Sequence, residues 1–290
     1  MKVSGFSFVR NAIKFDYPVI EAISSILPIC DEFILVLGNS EDDTENLIKS
    51  INSDKLKIVH SIWDENLKTG GKILAQQTNI ALNSISKDST WAFYIQADEV
   101  IHEKYLPTIL DSMKKWEKNK EVEGLLFNYL HFYGSYNFVG SSRKWYRKEI
   151  RVIRPNIGVY SYRDAQGFRI ENRKLNVKEV DAFVYHYGWV KSPYKQQLKQ
   201  KYFNSLWHDD NWIEKNIPNK EEFDYSNIDS LEYFEGEHPK VIKEKIEQKN
   251  WKFDFDIKKK NFSLKDRILN FIEKRFNYRI GEYKNYKILK

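Results

Sequence analysis

The chain has 290 residues, 41% hydrophobic and 30% charged, with 12 Gly and 7 Pro, which supplies a sizeable core and excludes a fibrous or disordered chain. A single cysteine, Cys30, excludes a disulfide framework and cysteine-built zinc sites, and no run of about 18 apolar residues offers a membrane-spanning helix. The formal net charge of +6 is uneven: residues 240–290 hold 16 Lys or Arg against 7 Asp or Glu, a net of +9, which leaves the first 239 with 31 against 34, a net of −3.

The N-terminal MKVSGFSFVRNA lacks the long apolar block of a signal peptide, and with one cysteine the expectation is a soluble, cytoplasmic protein. Val3–Val9 reads as a strand and Ala12–Leu27 as a helix ending near Pro28. Phe33–Leu37 is a continuous apolar run, the pattern of a strand buried on both faces. Thr44–Ile51 fits a helix, Lys57–His60 a strand, Lys72–Ile85 a helix and Trp91–Ile95 a second buried strand. A helix over Tyr105–Trp116 and a strand over Gly124–Tyr129 complete an alternation that predicts an α/β fold, a mostly parallel sheet flanked by helices. From Phe132 to about Trp189 aromatic strand-like pieces follow, then a helix from about Pro193 to Trp207, an acidic loop-like stretch over 209–239 and the basic tail. The aromatics, 15% of the chain, serve either as core or as stacking surfaces for rings.

Ligands of parallel sheets sit beyond the carboxyl ends of the strands. Arg10-Asn11 follows the first strand, and Gly38-Asn39-Ser40-Glu41-Asp42-Asp43-Thr44 the second, where Asp42 or Asp43 also suits a helix cap. Gln96-Ala97-Asp98-Glu99 follows the fourth. Adjacent acids at the end of a buried strand need solvent, a partner or a metal, and hard oxygen ligands suit Mg2+ or Mn2+ beside phosphates. Helix capping explains the pair about as well.

With these signals in order, the sequence resembles the family 2 glycosyltransferases of the GT-A fold over roughly residues 1–240. VLGNSEDDT (Val36–Thr44) partly matches their V-D-D-G-S-x-D-x-T segment, QTNIAL (Gln77–Leu82) keeps the Asn of A-R-N-x-G, IQADEVI (Ile95–Ile101) stands at the D-x-D motif, and VYHYGWV (Val184–Val190) looks like the later H-x-G. FEGEHP (Phe234–Pro239) looks similar farther on. Leu37 and Gly38 replace the paired acids that usually hold the nucleoside, and Gln96 replaces the first D of D-x-D.

The resemblance implies transfer of a sugar from a nucleotide-diphosphate donor, a UDP- or GDP-sugar, to a glycan, lipid-linked or protein acceptor, with Mn2+ or Mg2+ at the diphosphate. It implies a nucleotide-sugar-binding GT-A half over 1–130, an acceptor-side half of the same domain over 131–240, and a basic helical extension over 241–290. Phe8, Arg10, Asn11, Asn39, Asp42, Lys72, Asn79, Gln96 and Ala97 would lie along the donor, Asn79 as loop architecture; Asp98, Glu99 and His186 would hold the metal; and Asp164 would act as general base. Lys195 is a further diphosphate candidate, and Trp145, Tyr146, Tyr160 and Trp189 are candidates for stacking on the acceptor. Each also has a plain structural reading, as a core aromatic, a turn acid, a sheet histidine or a solvated lysine.

In the tail, Ile268, Leu269, Phe271, Ile272 and Phe276 fall roughly on one helical face, with Lys265, Arg267, Lys274 and Arg275 elsewhere on the wheel. Such a helix either lies on anionic membrane at its inner face or docks on its own domain. A nucleotidyltransferase would open with a Gly-rich loop where FVRNAIKF stands, and a nucleic-acid binder would have a basic body, so neither is expected. The alternative is a non-catalytic sugar- or nucleotide-binding protein on a GT-A scaffold.

Overall fold

A computed structural model describes residues 1–64, 67, 70–276 and 278–290, with the side chain of Lys274 outside the described set. The first half runs β1 (Val3–Val9), α1 (Val19–Ile26), β2 (Glu32–Gly38), α2 (Thr44–Lys49), β3 (Leu56–Ser61), α3 (Lys72–Asn83), β4 (Trp91–Tyr94), β5 (Glu99–Ile101) and α4 (Leu106–Trp116). There follow β6 (Gly124–Tyr133), β7 (Ser135–Gly140), β8 (Lys148–Ile153), β9 (Val159–Tyr162), β10 (Gly167–Ile170), β11 (Arg173–Lys174) and β12 (Asn176–Trp189). The last part holds α5 (Pro193–Ser205), α6 (Asp210–Asn216), β13 (Leu231–Tyr233), α7 (Lys243–Glu247), α8 (Leu264–Phe276) and β14 (Lys287–Ile288).

The main sheet reads β13-β7-β6-β8-β4-β1-β2-β3. β3, β2, β1 and β4 are parallel, β8 enters antiparallel between β4 and β6, and β12 lies parallel to β6. This is the α/β class expected from the strand–helix alternation, with a mostly parallel sheet flanked by helices. β9, β10 and β11 form a separate three-stranded sheet.

The period-2 geometry of strands divides the core. In β2, Phe33, Leu35 and Leu37 pack with α1 and α4 residues such as Ile23 and Ile109, while Ile34 and Val36 pack with Ile73 and Leu82 of α3. Both faces are therefore covered, which is why FILVL carries no polar residue.

The helix expected from Ala12 begins only at Val19. Asn11 and Asp16 adopt left-handed φ of 56° and 50°, and Pro18 disfavours helical backbone at Tyr17. Residues 11–17 instead form a turn closed by Phe15 N–H to Asn11 O and Tyr17 N–H to Ala12 O. The stretch 209–239, expected as loop, contains α6, whose Asp209 side chain caps Trp212 N, and the edge strand β13.

Candidate active site

A cavity of about 300 Å3 opens beyond the carboxyl ends of β1 and β4, and α5 roofs it. Phe8, Val9 and Arg10 line it from the end of β1, Gln96, Ala97 and Asp98 from the turn after β4, and His186 and Trp189 from β12. Asp164 and Gln166 reach it from the β9–β10 connection, where Arg163 and Ala165 on either side of Asp164 have left-handed φ of 56° and 64°. Ser192 caps α5 through Lys195 N, Pro193 occupies its first turn, and Gln196, Lys199, Gln200 and Phe203 recur at helical spacing along the wall.

Asp98 is the charged centre. Its Oδ2 accepts from Lys199 Nζ at 3.0 Å, and its Oδ1 lies 3.8 Å from His186 Nε2. Burial alone would raise the Asp98 pKa, but the ammonium groups of Lys199 and Lys191 outweigh it and hold the carboxyl well below its ordinary range. Lys199 also donates to Gly188 O at 2.9 Å. Gly188 leaves the room this needs: a Cβ there would lie 2.7 Å from Asp98 Oδ2 and from the His186 ring.

The tautomer of His186 follows from its neighbours. His131 Nε2 faces the Tyr146 carbonyl at 2.8 Å, and a carbonyl only accepts, so His131 carries its proton on Nε2. His131 Nδ1 therefore accepts from His186 Nδ1 at 3.2 Å, which in neutral His186 leaves the Nε2 lone pair facing Asp98. Burial pushes both imidazoles below their ordinary pKa, the direction that favours the neutral form. Strand register builds the relay, because β12 sets His186 opposite His131 of β6 and opposite Glu99 of β5.

In that form Asp98 Oδ1 and His186 Nε2, 3.8 Å apart, offer two electron-pair donors to a cation. Among the described residues no three of His, Cys, Asp and Glu converge on a metal position. Asp98 and His186 still suit a divalent ion that takes its other ligands from diphosphate and water, as Mg2+ commonly does. Glu99, expected beside them, needs correction. As the first residue of β5 it is fully buried, with its oxygens taken by Arg151 Nε at 2.8 Å, Arg151 Nη2 at 2.7 Å and Tyr129 Oη at 2.7 Å.

Of the other expected residues, Phe8, Arg10, Gln96, Ala97 and Asp164 line the cavity, while Asn11, Asn39, Asp42, Lys72 and Asn79 do not. Arg10 donates to Asn39 O at 3.0 Å and to Tyr202 Oη at 3.2 Å, with its guanidinium over the rings of Trp63 and Tyr202. Asn11 Oδ1 accepts from Glu41 N, Asn39 Oδ1 from Trp63 N, and Asp42 from Lys14 N and Thr44 N, so all three shape the loops behind Arg10. Asn79 exchanges two hydrogen bonds with the Ser161 backbone and ties α3 to β9, an architectural position. Lys72 is exposed at the start of α3, and Lys195 donates to Ile13 O away from the cavity.

Tyr146 and Trp189 line the cavity; Tyr160 bonds Asn172, and Trp145 stacks on His131. Burial raises the Asp164 pKa against the hydrogen bonds of its own turn. Sequence reasoning missed Gln196, Lys199, Gln200, Tyr202 and Trp63. The helical repeat of Gln196, Lys199, Gln200 and Phe203 was the available signal for α5. Gln196 is fully buried, and neither amide atom has a hydrogen-bond partner among the described residues.

No protein-family model matches the chain, and no curated protein matches it. Among solved structures it is similar to S. aureus TarS residues 1–349, at TM-score 0.39 and 14% identity over 76% of this chain and 67% of that one. The 4-diphosphocytidyl-2C-methyl-D-erythritol synthase of Anaerococcus prevotii gives TM-score 0.37 and 14% identity over 70% of this chain and 95% of that one. The glucosyl-3-phosphoglycerate synthase of Mycobacterium tuberculosis, solved with Mn2+, UDP and phosphoglyceric acid, gives TM-score 0.29 and 19% identity over 45% and 43%. Likenesses of this size leave the chemistry of the cavity to be read from this chain's own residues.

Proposed function

We propose that the protein is a glycosyltransferase that moves a sugar from a nucleotide-diphosphate donor, a UDP- or GDP-sugar, to a glycan, lipid-linked or protein hydroxyl. The observation that carries this reading is the convergence of Asp98, His186 Nε2, Lys199 and Arg10 in one cavity beyond the carboxyl ends of parallel strands. The resemblance of Val36–Thr44, Gln77–Leu82 and Ile95–Ile101 to family 2 segments supports it.

In this reading Arg10, between Trp63 and Tyr202, marks the nucleoside end, and Lys199 meets the charge that grows on the departing diphosphate. Asp98 and His186 would hold Mn2+ or Mg2+, which when bound offsets that same charge. As the acceptor oxygen bonds to the anomeric carbon and the bond to diphosphate breaks, the hydroxyl proton needs a base wherever transfer inverts the sugar. Asp164, lining the same cavity with a carboxyl made more basic by burial, is assigned that proton. Tyr146 and Trp189 supply ring faces for the acceptor. The division into a donor half over 1–130, an acceptor half over 131–240 and a basic extension belongs to the same proposal, as does work at the inner face of an anionic membrane.

The test is Asp98→Asn. Release of nucleoside diphosphate from a cognate donor is expected to fall by about a hundredfold or more, with Tm within a few degrees of the parent. Unchanged turnover would remove Asp98 from the machinery.

A further inference from the structure

We propose that α8 is an interfacial helix that docks the protein on an anionic lipid surface, with Leu264, Ile268 and Phe271 as the inserted residues. These three stand at i, i+4 and i+7, so they form one stripe along the helix. They are 79%, 62% and 69% exposed, and Phe276, Tyr278 and Tyr283 are exposed farther along the tail. An ordinary surface helix turns such a stripe toward the core. Here the opposite side of the helix is the anchored one: Glu273 pairs with Arg143, Arg147 and Arg279. A polar clamp thus holds α8 to the body and turns its apolar stripe outward.

Charge selects the occupant. Arg267 is exposed beside the stripe and Arg275 in line with it at its C-terminal end, Lys265 lies on its flank, and Lys258, Lys259 and Lys260 precede the helix. The tail from residue 240 carries +9 while the rest carries −3, so attraction to an anionic surface is confined to this end. Aliphatic and phenyl groups in a stripe flanked by cations are the arrangement that seats in an anionic interface. A phosphate-tracking nucleic-acid surface would have the cations at the centre. The two expected fates of the tail therefore combine, since it docks on its own domain through its acidic side and presents its apolar side.

The same clamp reaches the cavity. Arg143 and Arg147 belong to the connection that carries Tyr146, and Arg279 donates to Trp145 O. A seated α8 would bring the Tyr146 wall toward the bilayer, where a lipid-linked acceptor lies.

The test is flotation of the full chain with vesicles of phosphatidylcholine alone and of phosphatidylcholine with phosphatidylglycerol. The parent protein is expected to float only with the anionic vesicles and to be released by high salt. Ile268→Ser with Phe271→Ser, both exposed, is expected to keep the Tm and weaken binding by about tenfold or more. Equal flotation of parent and double variant, or no flotation of the parent, would overturn the proposal. A parent dimer that the double variant splits would also overturn it, because a second copy would then cover the stripe. None of these readouts depends on sugar transfer.

Discussion

Two neighbouring acids, Asp98 and Glu99, meet different fates one residue apart. Asp98 remains in the turn at the cavity rim, whereas Glu99 enters the β5 ladder opposite His186 and is drawn to Arg151 and Tyr129. Sequence order showed the pair; the divergence depends on where the turn ends, which Arg151, 52 positions later, fixes from across the sheet. His186 was legible from its H-x-G setting, but its tautomer comes from His131 and the Tyr146 carbonyl, partners that only strand pairing brings together. His131→Phe removes that relay. Mn2+ affinity, titrated with UDP present, is expected to weaken by about 10- to 100-fold, as for other outer partners of metal ligands, with partial recovery in His131→Gln. An unchanged affinity would mean that the relay does not orient His186.

At the scale of elements, the apolar runs of β2 and β4 were readable because burial on both faces leaves a pattern that needs no partner to interpret, and α3 because its buried residues recur at helical spacing. α1 started late because Pro18 and two left-handed residues outweigh helical periodicity. α5 was legible as a helix, yet its role as the roof of the cavity was not, because its low-apolar face packs around a space and not a core. The sheet itself is cross-braced at Arg151 of β8, fully buried and bidentate to Glu99 of β5. Arg151→Met leaves the Glu99 carboxylate buried without its cation, and denaturant unfolding is expected to show a loss of about 3–5 kcal/mol. The double change with Glu99→Met should recover much of it; a single variant as stable as the parent would contradict the bracing role.

For the whole molecule, acid stability is tied to Glu32, which links three parts of the sheet region through Ser4, Lys57 and Ser86. Burial works to raise its pKa, but the Lys57 ammonium and the Ser86 and Ser4 donors bring it down to about 2. A depressed carboxyl stabilises the fold above its unfolded pKa, about 4.3, and that contribution is lost as pH falls toward about 2. Glu32→Gln is therefore expected to be less stable at neutral pH and to lose less between those limits. Parallel stability-against-pH curves for parent and variant would contradict the assignment.

The central claim is that the cavity beyond β1 and β4 holds a nucleotide-sugar through Asp98 and His186. Thermal shift of the full chain against UDP-, GDP-, CMP- and dTDP-sugars, each with and without Mn2+, tests it most directly, since a ligand selective for the folded state raises Tm with the logarithm of its excess over Kd. The account predicts a rise with a UDP- or GDP-sugar that requires Mn2+ and disappears in Asp98→Asn. A nucleotide-sugar shift that is indifferent to both Mn2+ and Asp98 would contradict the site, and no shift with any donor at high concentration would favour the non-catalytic scaffold over the transferase.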